Sequence, residues 1–141
     1  MPDKSELWEQ LIHLIGEIEA ELTAALQSDH GLGLTEYRAL RALSLSPTSE
    51  LRLQELAAHL RLNQSSVSRM VERLERRQLA ARDPCPDDKR GIHAVLTDTG
   101  RAAFRRATSD YEAALNASVE RHDCEGLLAT RLVRADVQKH R

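Results

Sequence analysis

Asn63-Gln64-Ser65-Ser66-Val67-Ser68-Arg69-Met70-Val71-Glu72-Arg73-Leu74 is the stretch on which the fold turns. Val67, Met70, Val71 and Leu74 recur at i, i+3, i+4 and i+7, the spacing that gathers apolar side chains on one side of a helix. Asn63 stands just before the pattern, where its side-chain oxygen can accept from a free N–H of the first turn. Upstream, Leu53, Leu56, Ala57 and Leu60 repeat the same spacing, and only Arg61, Leu62 and Asn63 separate the two runs. Two short helices joined this tightly are the minimal geometry for seating one helix in a DNA major groove while its partner braces it.

With the apolar positions committed to a core, Gln64, Ser65, Ser66, Ser68 and Arg69 are left facing outward, followed by Glu72 and Arg73. Gln can donate and accept at adenine, Arg can grip guanine or neutralise phosphate, and Ser adapts to either base type. Taken alone, such a polar face is ordinary solvated helix surface. The segment that follows gives it weight. Leu79 to Arg82 reads as a short strand, 83–91 as a loop rich in Pro and Asp, and Ile92 to Leu96 alternates, which together make a β-hairpin. Its tip, Asp87-Asp88-Lys89-Arg90-Gly91, would carry a basic side chain past the helix pair toward the flanking minor groove, whose negative potential attracts Arg. Asp88, two residues before Arg90, is placed to orient that guanidinium through a contact worth only ~0.5 kcal/mol in the open. The candidate DNA contacts are therefore Gln64, Ser65, Ser66, Ser68, Arg69 and Arg73 on the helix, with Asp88, Lys89 and Arg90 on the wing.

Further out, Leu7, Leu11, Leu14, Ile18, Leu22 and Ala25 predict an amphipathic helix from Ser5 to about Gln27, stopped by Gly31-Leu32-Gly33. Thr35 is the expected N-cap of a helix carrying Tyr37, Leu40 and Leu43, which ends before Ser46-Pro47. On the other flank, Thr97 caps a helix in which Phe104, Ala107, Tyr111, Ala114 and Ser118 keep a three-four rhythm. A break near His122-Asp123 follows, and Asp123 caps a last helix with Leu127, Leu128, Leu132 and Val133.

The 141 residues suit one domain, 41% hydrophobic and 30% charged, the balance of a folded globular protein. The net charge of −2 hides a segregation: residues 52–106 carry 12 Lys or Arg against 7 Asp or Glu, and the remainder 8 against 15. One lobe thus suits phosphate and the other does not. No stretch approaches a membrane span, and Met1-Pro2-Asp3-Lys4 has no signal-peptide character, so a cytosolic protein without membrane contact is expected. Cys85 and Cys124 form no C-x-x-C pair and read as reduced thiols, with a redox switch as the alternative. No metal spacing, phosphate loop or nucleophile elbow appears, so no metal, cofactor or catalysis is expected.

The run Leu53-Gln54-Glu55-Leu56-Ala57, the helix from Asn63 to Leu74, Asp87-Asp88-Lys89-Arg90-Gly91 and Leu96-Thr97-Asp98-Thr99-Gly100 together resemble the winged-helix core of MarR-family regulators. The resemblance implies a mainly α fold with a small β wing: a winged helix-turn-helix lobe over residues 34–100, flanked by dimerisation helices at 5–29 and 101–139. It further implies a homodimer bound to double-stranded DNA at a pseudo-palindromic operator, repression, and release by a small aromatic effector. Within the family pattern, Asp88 and Arg90 match the wing Asp-x-Arg pair, and Ser65 to Arg69 the groove-facing positions. Trp8, His13, His30, Tyr37 and Tyr111 are candidates for an effector pocket, each with an ordinary place in a core or interface as well. Two isolated histidines, His13 and His30, without carboxylate spacing do not suggest a metal.

Two positions depart from the pattern. Gln78-Leu79 stands where the family has Gly-Leu, so a left-handed helix end there costs ~1 kcal/mol or takes another shape. Cys85 lies between Pro84 and Pro86, unlike the family's redox sensors, whose reactive Cys lies near the N-terminus. A rival reading, a protein-interaction adaptor or anti-repressor with a degenerate winged helix, leaves Arg69, Arg73 and Arg90 without a purpose.

Overall fold

The computed structural model describes residues 3–83, 91–123 and 126–128. Asp3 accepts from the Glu6 N–H at 2.9 Å and so starts helix α1, Lys4–His30. Its inward face is Leu14, Ile18, Leu22 and Leu26. Leu26, not Ala25, closes the apolar stripe, because it falls one turn beyond Leu22. The helix runs on past Gln27 until Gly31 adopts the left-handed conformation, φ 62°, and turns its N–H back to the last carbonyls.

Helix α2, Leu34–Leu45, begins earlier than Thr35 predicts. Gly33 is the N-cap, and the Glu36 carboxylate three residues on accepts from the Gly33 N–H at 3.1 Å. A carboxylate at that position satisfies an otherwise orphaned donor and favours the helix dipole, which is why it outweighs the threonine. Tyr37, Ala39, Leu40, Ala42 and Leu43 are buried along this helix.

Strand β1, Glu50–Arg52, is absent from the sequence reading. It pairs antiparallel with β3, His93–Leu96, setting Glu50 opposite Val95, Leu51 opposite Ala94 and Arg52 opposite His93. Strand β2, Ala80–Asp83, pairs with the other side of β3, giving the order β1-β3-β2. Both hairpin strands begin one residue later than predicted, because Leu79 and Ile92 are engaged elsewhere. Leu79 donates to the Leu74 carbonyl at 2.9 Å and accepts from Thr97 N–H at 3.3 Å, while the Ile92 carbonyl accepts from Leu53 N–H at 3.1 Å.

Between β1 and β2 lie α3, Leu53–Leu60, and α4, Gln64–Arg76, separated by a turn in which Arg61 is left-handed at φ 57°. Asn63 caps α4 as expected, accepting from Ser66 N–H at 2.8 Å. Thr97 caps α5, Asp98–His122, accepting from Gly100 N–H at 2.9 Å. The described residues thus hold five helices and a three-stranded sheet, mainly α with a small β element, as expected. None of these helices is long and apolar enough to cross a membrane.

Leu26, Leu40, Leu43, Leu56, Val67, Val71 and Leu74 are all completely buried, joining α1, α2, α3 and α4 in one core. Each such side chain contributes ~1.5–3 kcal/mol by leaving water. Tyr37 stitches α2 to α5, with its ring 4.2 Å from that of Tyr111 and 5.3 Å from that of Phe104. Beyond α5 the Asp123 carboxylate accepts from Leu127 and Leu128 N–H at 2.7 and 2.8 Å, and the rest of the last helix predicted to follow lies outside the described residues. Leu132 and Val133 lie outside the described residues.

Candidate nucleic-acid interface

Helix α4 owes its orientation to the four buried side chains Val67, Met70, Val71 and Leu74, which turn the opposite face to solvent. Gln64, Ser65, Arg69 and Arg73 are exposed there, and Ser66 is half-buried. Glu72, on the same side, is occupied by Arg76 at 3.0 Å. Among the described residues no ion-pair partner engages Arg69 or Arg73, so two cations stand uncompensated on this face. That is the arrangement a phosphate backbone rewards.

Ser68 is placed differently from the rest of its predicted group. Its carbonyl and hydroxyl both accept from Arg82 Nη2 of β2, at 2.5 and 3.1 Å. The side chain therefore faces the wing and is half-buried. Arg82 was not legible as a site residue, because a contact between positions 14 apart leaves no periodic or motif signal. The wing residues Asp88, Lys89 and Arg90, and Cys85 with them, lie outside the described residues, as does Cys124.

The root of the wing is fixed from two sides. Gln78 adopts φ 62°, the left-handed end that the family's glycine provides, so this chain accepts the strain instead of changing shape. Gly100, in the first turn of α5, lies so close to Leu79 that an added Cβ would fall 1.9 Å from the Leu79 carbonyl oxygen. Thr97 Oγ1 also donates to the Gln78 carbonyl at 2.7 Å. The α4 end, β2 and the α5 start thereby form one packed junction.

The five effector-pocket candidates do not share one pocket, although Tyr37 and Tyr111 stack 4.2 Å apart. Tyr37 is 2% exposed and stacked in the core, while Trp8 is 60% exposed near the start of α1. Both histidines have carboxylate partners: His30 Nε2 lies 2.7 Å from Asp110 Oδ2, a pairing between positions far apart in sequence, and His13 Nε2 lies 3.2 Å from Glu17 Oε1 one helical turn on. His13 alone of the five lines a cleft of about 370 Å³ between α1 and α5, with Glu17, Arg121 and His122. No group of three or more His, Cys, Asp or Glu among the described residues converges as a metal site.

Where α1 meets the end of α5, Glu21 is held at about 2, below the usual 4.5. The causes are the Ser118 hydroxyl first, then His122 and Arg121. Ser118 Oγ and Glu21 Oε2 are both occluded. Their approach is looser than a strict hydrogen bond, yet the hydroxyl dipole still favours the ionised carboxylate.

The MarR family model matches residues 30–91. The chain is 35% identical over 105 residues to the HTH-type transcriptional repressor Rv2887 of Mycobacterium tuberculosis, covering 74% of this chain and 73% of that one. It is 28% identical over 109 residues to the HTH-type transcriptional repressor MdtR of Bacillus subtilis, covering 77% and 68%. Among solved structures, Sco3205, a MarR family transcriptional regulator of Streptomyces coelicolor in complex with DNA, superposes with a TM-score of 0.79 at 31% identity. That match covers 99% of this chain and 89% of Sco3205.

Proposed function

The chain belongs to the MarR family of transcriptional regulators, which are not enzymes, and on that premise we propose that it is a repressor that binds a pseudo-palindromic operator as a homodimer. The observation that carries this reading is the solvent face of α4, where Gln64, Ser65, Arg69 and Arg73 stand free beside a β wing. Residues 34–100 form the reading lobe, with Ser66 and Ser68 on its flank and Arg90, oriented by Asp88 and preceded by Lys89, reaching the minor groove. Residues 5–29 and 101–139 hold two copies together. Support for self-association comes from Trp8, 60% exposed, with Leu7, Ile12 and Ile15 also uncovered on α1, an apolar ridge that the described residues leave open.

Repression follows from occupying a promoter in the cytosol, and release follows if a small aromatic effector binds the lobe spacing that does not fit DNA more tightly than the one that does. Sco3205 in its DNA complex supports the same use of the fold. Footprinting on DNA flanking the protein's own gene tests the proposal. Two protected half-sites whose centres lie ~10 bp or a multiple apart are expected for a two-fold dimer. A single protected half-site at saturation contradicts it.

A further inference from the structure

Resting on the DNA-reading role above, we propose that Arg82 is a positioning residue that couples β2, the strand leading into the wing, to the recognition helix, so that helix and strand address the duplex in a fixed relation.

Arg82 belongs to β2, yet two of its groups are spent on α4. Its Nη2 donates to the Ser68 carbonyl and hydroxyl at 2.5 and 3.1 Å, and its main-chain N–H donates to Glu75 Oε2 at 3.2 Å. Ser68 and Glu75 are seven residues apart, about two turns along α4. Attachment at two levels opposes rotation of the strand about the helix, which one contact alone would permit. β2 ends one residue after Arg82, and the candidate wing residues Asp88, Lys89 and Arg90 follow it in sequence.

Stability alone does not account for an arginine here. The side chain is half-buried, and its Nε is occluded without a hydrogen-bond partner. Burying part of a guanidinium that is incompletely satisfied carries a desolvation cost that an apolar side chain would avoid. What the arginine adds is direction, since its planar fork fixes the approach to Ser68 as a flexible ammonium does not. It also holds the Ser68 side chain toward β2, whereas Gln64, Ser65, Arg69 and Arg73 stay exposed.

The test is a double-mutant cycle on operator DNA with the full-length protein: parent, Arg82→Gln, Arg90→Ala and the double variant, each confirmed folded by circular dichroism and titrated across salt. Arg90→Ala is expected to weaken the parent about tenfold and lower its salt slope by about one. In the Arg82→Gln background the same change should cost less than about twofold, because a wing no longer aimed has little contact to lose. Arg82→Gln alone should lower the slope by about one, although Arg82 is not itself proposed to touch phosphate. Should Arg82→Gln not fold, Arg82→Lys takes its place in the cycle, keeping a donor but losing the fork, with a reduced Arg90→Ala penalty still expected. Equal Arg90→Ala penalties in the two backgrounds, nil included, overturn the role of Arg82 while leaving DNA binding intact. A parent that binds no DNA fragment above background overturns the functional reading itself.

Discussion

Arg77, at the C-terminal end of α4, donates from Nη1 to the Gly31 carbonyl at 2.7 Å and from Nη2 to the His30 carbonyl at 3.4 Å. The last carbonyls of α1 are without helical partners and carry the negative end of its dipole, so a cation there completes the helix. The same contact ties the recognition helix to the helix proposed to hold the dimer. Arg77→Met is expected to destabilise the fold by about 1 kcal/mol in urea denaturation, with Arg77→Lys recovering part of the loss. Parent stability in Arg77→Met would show that the contact is incidental.

The backbone after α4 makes a pair of opposite predictions. Gln78 sits at φ 62°, where a Cβ is a burden, so Gln78→Gly is expected to stabilise the protein by about 0.5–1 kcal/mol. Gly100 has the reverse problem, because a Cβ there would meet the Leu79 carbonyl oxygen at 1.9 Å, which neither backbone can yield cheaply. Gly100→Ala should cost about 3 kcal/mol or more, at the upper end of single substitutions. Thermal melts of the two variants check both signs together.

Glu21 predicts a pH dependence. Because the folded chain holds its pKa at about 2 instead of 4.5, the ionised form is favoured by folding. Its contribution is fully present above pH 4.5 and is lost as the pH falls toward 2. The melting temperature of Glu21→Gln should therefore lie below the parent's at neutral pH, and the gap should close through that window. A gap that stays constant down to pH 2 would contradict the assignment.

What could be read from sequence was what local spacing encodes. Val67, Met70, Val71 and Leu74 announce α4 because a buried helix face must repeat at its own period, and Asn63 and Thr97 announce caps by chemistry within three residues. Gly33 displaced Thr35 as the start of α2 for a reason equally local, the Glu36 carboxylate, which the apolar pattern does not weigh. β1 had no such signature: Glu50, Leu51 and Arg52 are a strand only because Val95, Ala94 and His93 lie beside them. The grip of Arg82 on Ser68 is non-local in the same sense. The site residues on α4 follow from the phase of the helix, whereas the division between those free for DNA and those held by the wing needed the tertiary structure.

The central claim, that the free face of α4 reads duplex DNA, is tested most directly by a salt titration. Binding of the parent to the DNA flanking its own gene is compared with that of Arg69→Ala and Arg73→Ala. The parent should bind tightly, with log affinity falling linearly in log salt, and each arginine that meets phosphate should remove about one unit of that slope when replaced. Affinity and slope unchanged in both variants would contradict the claim, as would a parent indifferent to salt.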